Sequence, residues 1–100
     1  MTQTGNDTLE KVDVILDEPG HYKVIFLNDD VTPMDFVLEI LQRIFKHDVQ
    51  ASQKLMVTVH TDGSAVVGVY SFEVAEQKGV ETTILARGNN FPLIVKIEKE

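Results

Sequence analysis

The sequence predicts an α+β fold: a two-layer sandwich in which a three-stranded antiparallel sheet packs against three helices, in the order β-α-α-β-α-β. Three observations lead there. Short runs rich in β-branched and aromatic residues, His21–Leu27, Ala65–Tyr70 and Leu93–Ile97, are separated by segments whose apolar residues recur at three- and four-residue spacing. One such segment carries a single apolar stripe, Phe36, Val37, Ile40, Leu41, Ile44 and Phe45, which requires a sheet to lie on. The 100 residues are 43% apolar and 25% charged and contain no cysteine, so one domain must hold itself together by a hydrophobic core.

Each element has its own local cause. Residues 1–20 read as a flexible acidic arm: Asp7, Glu10, Asp13, Asp17 and Glu18 face only Lys11, and Pro19-Gly20 closes the stretch. Its apolar Val12, Val14, Ile15 and Leu16 would let it dock on something. The core is then 21–100. In the first strand both the Tyr22, Val24, Phe26 set and the Lys23, Ile25, Leu27 set are largely apolar, which places it centrally or covers both its faces. Asn28-Asp29-Asp30 breaks it. Thr32 reads as the cap of the first helix, with Pro33 at its first position and Asp35 at its third. Asp48 caps a second helix running to about His60, with Ala51, Leu55, Met56 and Val59 inward, and Asp62-Gly63 stops it. Gly68 within the second strand marks a bulge or a close backbone approach. Ser71 caps a third helix from Phe72 to about Arg87, weakened by Gly79, Thr82 and Thr83 and ended by Gly88-Asn89-Asn90.

Composition excludes several functions. Nine basic against 16 acidic residues give a net charge of −7, which opposes a phosphate-backbone partner, so no nucleic acid is expected. The longest unbroken aliphatic or aromatic run, Val24–Leu27, is far short of the roughly 20 residues of a spanning helix. The first residues lack the basic and apolar regions of a signal peptide, so a cytoplasmic location with no membrane contact is expected. No Gly-rich phosphate loop, His-Glu-x-x-His pair or thiolate set is present, so no metal or cofactor is expected.

The informative segment is Asn28-Asp29-Asp30-Val31-Thr32-Pro33-Met34, three polar side chains at a strand end just before a helix. Ordinary turn and cap chemistry accounts for much of it. His60 stands out at the end of the second helix, where a cationic ring also suits the dipole. His21 and His47 read as surface residues. Asp29 with His60 would make a small hydrolase conceivable, but no Ser or Cys nucleophile accompanies them at motif spacing.

Asn28-Asp29-Asp30-x-Thr32-Pro33-Met34-x-Phe36 closely resembles the signature of the ClpS family, adaptors that deliver N-end-rule substrates to a Clp unfoldase. The resemblance continues through Leu55-Met56-x-x-Val59-His60, through Gly68-Val69-Tyr70-x-x-Glu73-Val74-Ala75-Glu76-x-Lys78, and through Pro92-Leu93 to Glu98-Lys99. It implies that Asn28, Asp29 and His60 hold a substrate's α-amino group. It implies that Asp30, Thr32, Met34, Val37, Met56, Val59 and Leu93 receive the first side chain. Glu73 and Lys78 become contacts to a ClpA-type AAA+ unfoldase. The implied protein is a monomeric adaptor without enzymatic activity. A general protein-interaction domain of the same fold, blind to the first residue of a peptide, is the alternative. The sequence departs from the family at Phe91, where His is frequent, and at Ile94-Val95-Lys96-Ile97, where Leu-Cys-Thr-Leu is more usual.

The chemistry of those positions fits the implied task. A free α-amino group has a pKa near about 8, so at neutral pH it is a cation with three donors. Asp29 supplies the opposite charge, and the Asn28 oxygen and a neutral His60 nitrogen accept. Burying a Leu or Phe side chain is worth ~1.5–3 kcal/mol. Each hydrogen bond to a charged group adds roughly 1.5–3 kcal/mol, against an association cost of at least ~4 kcal/mol. Neither half suffices alone, so both a free amine and a bulky first residue (Leu, Phe, Tyr or Trp) are needed. Met34 reads as a gate that collides with side chains branched at Cβ.

Overall fold

The computed structural model describes residues 20–100, so the acidic arm lies outside the described residues but for Gly20. Three strands, β1 (Tyr22–Leu27), β2 (Ser64–Tyr70) and β3 (Ile94–Lys99), and three helices, α1 (Met34–Arg43), α2 (Val49–Asp62) and α3 (Phe72–Gly88), are arranged along the chain as β1-α1-α2-β2-α3-β3. The sheet order is β2-β1-β3 and both pairings are antiparallel. This is the predicted α+β sandwich. β1 is central, which explains why both of its side-chain sets are apolar.

One face of the sheet makes the core. Val24 and Phe26 of β1 are fully buried and meet Val37, Ile40 and Leu41 of α1, Val59 of α2, Ala75 and Ala86 of α3, and Leu93. Phe26 and Phe45 meet edge to face with ring centroids 5.4 Å apart. Ile44 and Phe45 stay buried although α1 ends at Arg43. The chain closes there through Lys46 at φ 61°, and the His47 amide donates to the Leu41 carbonyl at 3.1 Å. Val66, Val69 and Ile94 are exposed, on the side of the sheet away from the core.

The bulge anticipated at Gly68 is present. Val24 pairs with Gly68 and Ile25 with Val66, which leaves Val67 as the extra residue. A side chain at Gly68 would run into the Tyr70 ring, so the close approach is real as well. His47 is not the free surface residue the sequence led us to expect. It is half-buried, and its Nε2 donates to the Val67 carbonyl of the edge strand β2 at 2.6 Å.

Two helix starts differ from expectation. α1 begins at Met34 with Pro33 as its cap, and no side chain caps it. Thr32 lies one residue before that cap, and its hydroxyl donates to Asp29 Oδ2 at 2.8 Å. Ser71 does cap α3 in position, but its side chain makes no cap bond. Asp48 caps α2 as expected, accepting from the Ala51 amide at 2.8 Å. Gly79, which weakens α3 in isolation, is buried, and a Cβ there would come within 3.3 Å of Ile97 and 3.6 Å of Val95, so its lack of a side chain lets α3 settle on β3.

Candidate binding site

The site is built where β1 ends, α1 starts and α2 stops. Gly63 takes φ 89°, a left-handed conformation that suits glycine, and terminates α2. The carbonyl it presents accepts the Asn28 amide at 2.9 Å. That bond extends the β1–β2 pairing, in which Leu27 lies opposite Ser64, and fastens the end of α2 to the end of β1, with His60 and Asn28 lining the same hollow. Asp29 then organises the turn into α1. Its Oδ1 accepts the amides of Val31 at 2.8 Å and Thr32 at 2.6 Å, and its Oδ2 accepts the Thr32 hydroxyl at 2.8 Å. Burial pushes the Asp29 carboxyl up, but those hydrogen bonds and the positive charge of Arg87 outweigh it and hold it below its ordinary value. The result is a fixed, ionised carboxylate with lone pairs left over.

A shallow hollow, with a free volume of about 10 Å³, lies between these groups. Asn28, Asp29, Thr32 and His60 form its polar side, and Leu27, Met34, Val37, Met56, Val59 and Leu93 its apolar side. Val37, Val59 and Leu93 are buried and form the floor; Met34 is 40% exposed and stands at the mouth. Nine sequence-selected residues are thus brought together: Asn28, Asp29, His60, Thr32, Met34, Val37, Met56, Val59 and Leu93. Asp30 is not among them. It is exposed, because Asp29 turns inward to hold the turn and its neighbour turns out.

Leu27 was missed. It ends β1 opposite Ile94 of β3, a pairing that local sequence does not reveal. Arg87 was missed too. Its charge reaches Asp29, and it anchors the chain before β3. Among the described residues no group of three or more His, Cys, Asp or Glu is placed to hold a metal, and no helix is long and apolar enough to cross a membrane.

Glu73 and Lys78 lie elsewhere, on α3. Glu73 is exposed in its first turn. Lys78 is half-buried: its ammonium donates to the Ile44 carbonyl at 2.8 Å and sits 5.8 Å and 5.4 Å from the ring centroids of Phe45 and Tyr70. It closes the C-terminal end of α1. Lys78→Met keeps the stem and removes the charge, and should cost about 1–2 kcal/mol of stability. Urea unfolding measures it, and a midpoint equal to that of the unaltered chain contradicts the role.

The small α+β domain thus carries a hollow that joins a carboxylate-bearing polar rim to an apolar floor. The profile described as "ATP-dependent Clp protease adaptor protein ClpS" matches residues 17–96. The chain belongs to the ClpS family of Clp protease adaptors. It is 44% identical to the ATP-dependent Clp protease adapter protein ClpS of Pectobacterium carotovorum over 98 residues, covering 98% of this chain and 92% of that one. It is 47% identical to the protein of the same name from Sodalis glossinidius over 90 residues, covering 90% and 85%. A solved structure of Agrobacterium tumefaciens ClpS2 bound to L-phenylalaninamide superposes with a TM-score of 0.80 at 41% identity, covering 83% of this chain and all (100%) of that one.

Proposed function

We propose that this chain is a cytoplasmic adaptor that holds the free α-amino group and the bulky first side chain (Leu, Phe, Tyr or Trp) of other proteins and delivers them to a ClpA-type AAA+ unfoldase, with no turnover of its own. The observation that carries this reading is the convergence of Asn28, Asp29 and His60 on one rim of a hollow whose floor is Val37, Val59 and Leu93. The ligand of the Agrobacterium relative, L-phenylalaninamide, has the matching chemistry: a free α-amine, an aromatic side chain and a neutral amide where a carboxylate would be.

Each residue has a distinct task. Asp29 faces the ammonium with a charge that its turn keeps ionised. Asn28 and a neutral His60 accept from the remaining donors. An internal residue offers only an uncharged amide with one donor, so the rim distinguishes a chain's first residue from all others. The apolar floor takes the side chain, aided by Met56. Thr32 acts through Asp29, and Asp30 adds negative charge outside the hollow. Glu73 is the exposed member of the unfoldase contact; Lys78 offers only what its bond to Ile44 leaves free.

Met34 at the mouth accounts for selectivity. Its flexible thioether leaves room for a side chain that starts with a methylene and collides with one branched at Cβ. Met34→Ala should admit Ile- and Val-initial peptides with about a tenfold gain, since a methyl-sized clash is worth roughly 1–3 kcal/mol. Anisotropy with Leu-, Ile- and Val-initial peptides reads this, and an unchanged ranking removes the gate. The function itself is tested by degradation. A reporter protein beginning with Phe is incubated with the Clp protease and this chain, beside one in which Met precedes the Phe. Faster loss of the first supports the reading; equal rates reject it.

A further inference from the structure

The segment that carries Leu93 of the floor is held from α3, and chiefly by one side chain. Leu93, 1% exposed, precedes β3, so its backbone is outside the sheet ladder. Pro92 has no amide hydrogen to donate. Asn90 sits at φ 64°, where the chain reverses after α3. Two devices fix the backbone from Phe91 to Leu93. The Phe91 amide donates to the Ala86 carbonyl at 2.8 Å. Arg87 Nη1 donates to both the Phe91 carbonyl at 2.8 Å and the Leu93 carbonyl at 2.9 Å.

We propose that Arg87 is a positioning residue of the site, its guanidinium clamping the Phe91–Leu93 backbone so that the Leu93 side chain stays at the depth that selects a bulky first residue. The inference rests on the binding function proposed above. The same guanidinium lies on the Asp29 side of the fold, where its charge favours the ionised carboxylate. Arg87 thus links the apolar floor to the polar rim without lining the hollow. Phe91, positioned by the clamp, packs edge to face on Phe36 of α1 at 4.9 Å, so the loop is gripped from both helices.

Two variants test the clamp with and without the charge. Arg87→Gln loses both. Arg87→Lys keeps the charge, but its side chain is one bond shorter and its ammonium cannot take the place of Nη1 between two carbonyls. The test titrates the full chain and both variants with Leu-, Phe- and Ala-initial peptides, with free and acetylated amines, at a temperature where circular dichroism shows all three folded. Both variants should lose about tenfold of the preference for Leu over Ala while keeping that for free over acetylated amine within about twofold. A Leu-over-Ala preference equal to the unaltered chain's in both variants overturns the clamp. So does an equal loss of both preferences, which marks a general structural role. If the unaltered chain itself ignores acetylation, the binding function fails and the clamp falls with it.

Discussion

Asp29→Asn is expected to weaken binding of Leu- and Phe-initial peptides by about 10- to 100-fold, the worth of a charged hydrogen bond of roughly 1.5–3 kcal/mol, while leaving the domain folded. The asparagine oxygen still accepts the Val31 and Thr32 amides that Oδ1 accepts now. Its amide nitrogen donates to the Thr32 hydroxyl, which at present donates to Oδ2. The turn therefore survives and only the charge is lost. Asp29→Ala is the contrast: it leaves two turn amides without a partner and should lower stability as well. The pH dependence has a definite sign. The folded carboxyl lies below its ordinary value of 3.8, so its contribution is complete above that value and is lost only as pH falls below it. Protection of the turn by Asp29 should therefore be undiminished at pH 5. Anisotropy and thermal melts of the two variants separate the effects; an asparagine variant that binds as tightly as the unaltered chain removes Asp29 from the amine site.

Leu93→Ala should cost about 2–5 kcal/mol of stability, because the side chain is 1% exposed and its removal opens a cavity under the hollow. Total stability for the roughly 80 described residues is about 4–12 kcal/mol, so this is a large share of it. The expected fall in Tm is at least about 8 °C. The same change deepens the hollow, so Trp-initial peptides should gain on Leu-initial ones. Urea unfolding and a peptide ranking on the folded fraction measure the two consequences. A cost under about 1 kcal/mol contradicts the placement of Leu93 in the core.

What was legible in the sequence was what local chemistry encodes. Period-two and helical patterns gave every element, Asp48 and Gly63 gave both ends of α2, and Gly68 gave the bulge. The end of β3 was not legible: it runs on to Lys99 because β1 pairs with it along its full length, not because Glu98 and Lys99 favour a strand. The start of α1 lies one residue later than read, with Pro33 in the cap position, while Thr32 belongs to the turn that Asp29 organises. The site was legible as a list of residue types and family motifs, but its assembly depends on distant pairings. Asn28 meets His60 through the β1–β2 pairing and the bond to the Gly63 carbonyl, and Arg87 reaches the site through the loop before β3. His47 shows the same limit, since its partner is the Val67 carbonyl of a strand 20 residues further along the chain.

The central claim is that this domain reads the beginning of a polypeptide. The most direct measurement is a titration by fluorescence anisotropy of the full chain into one Phe-initial peptide, free or acetylated at its α-amine. Acetylation removes the cation and most of its donors and leaves the benzyl group intact. The free peptide should bind in the micromolar range or tighter, and the acetylated one at least about tenfold more weakly. Equal binding of the two would show that the hollow recognises a greasy side chain anywhere it is offered, and not a free terminus.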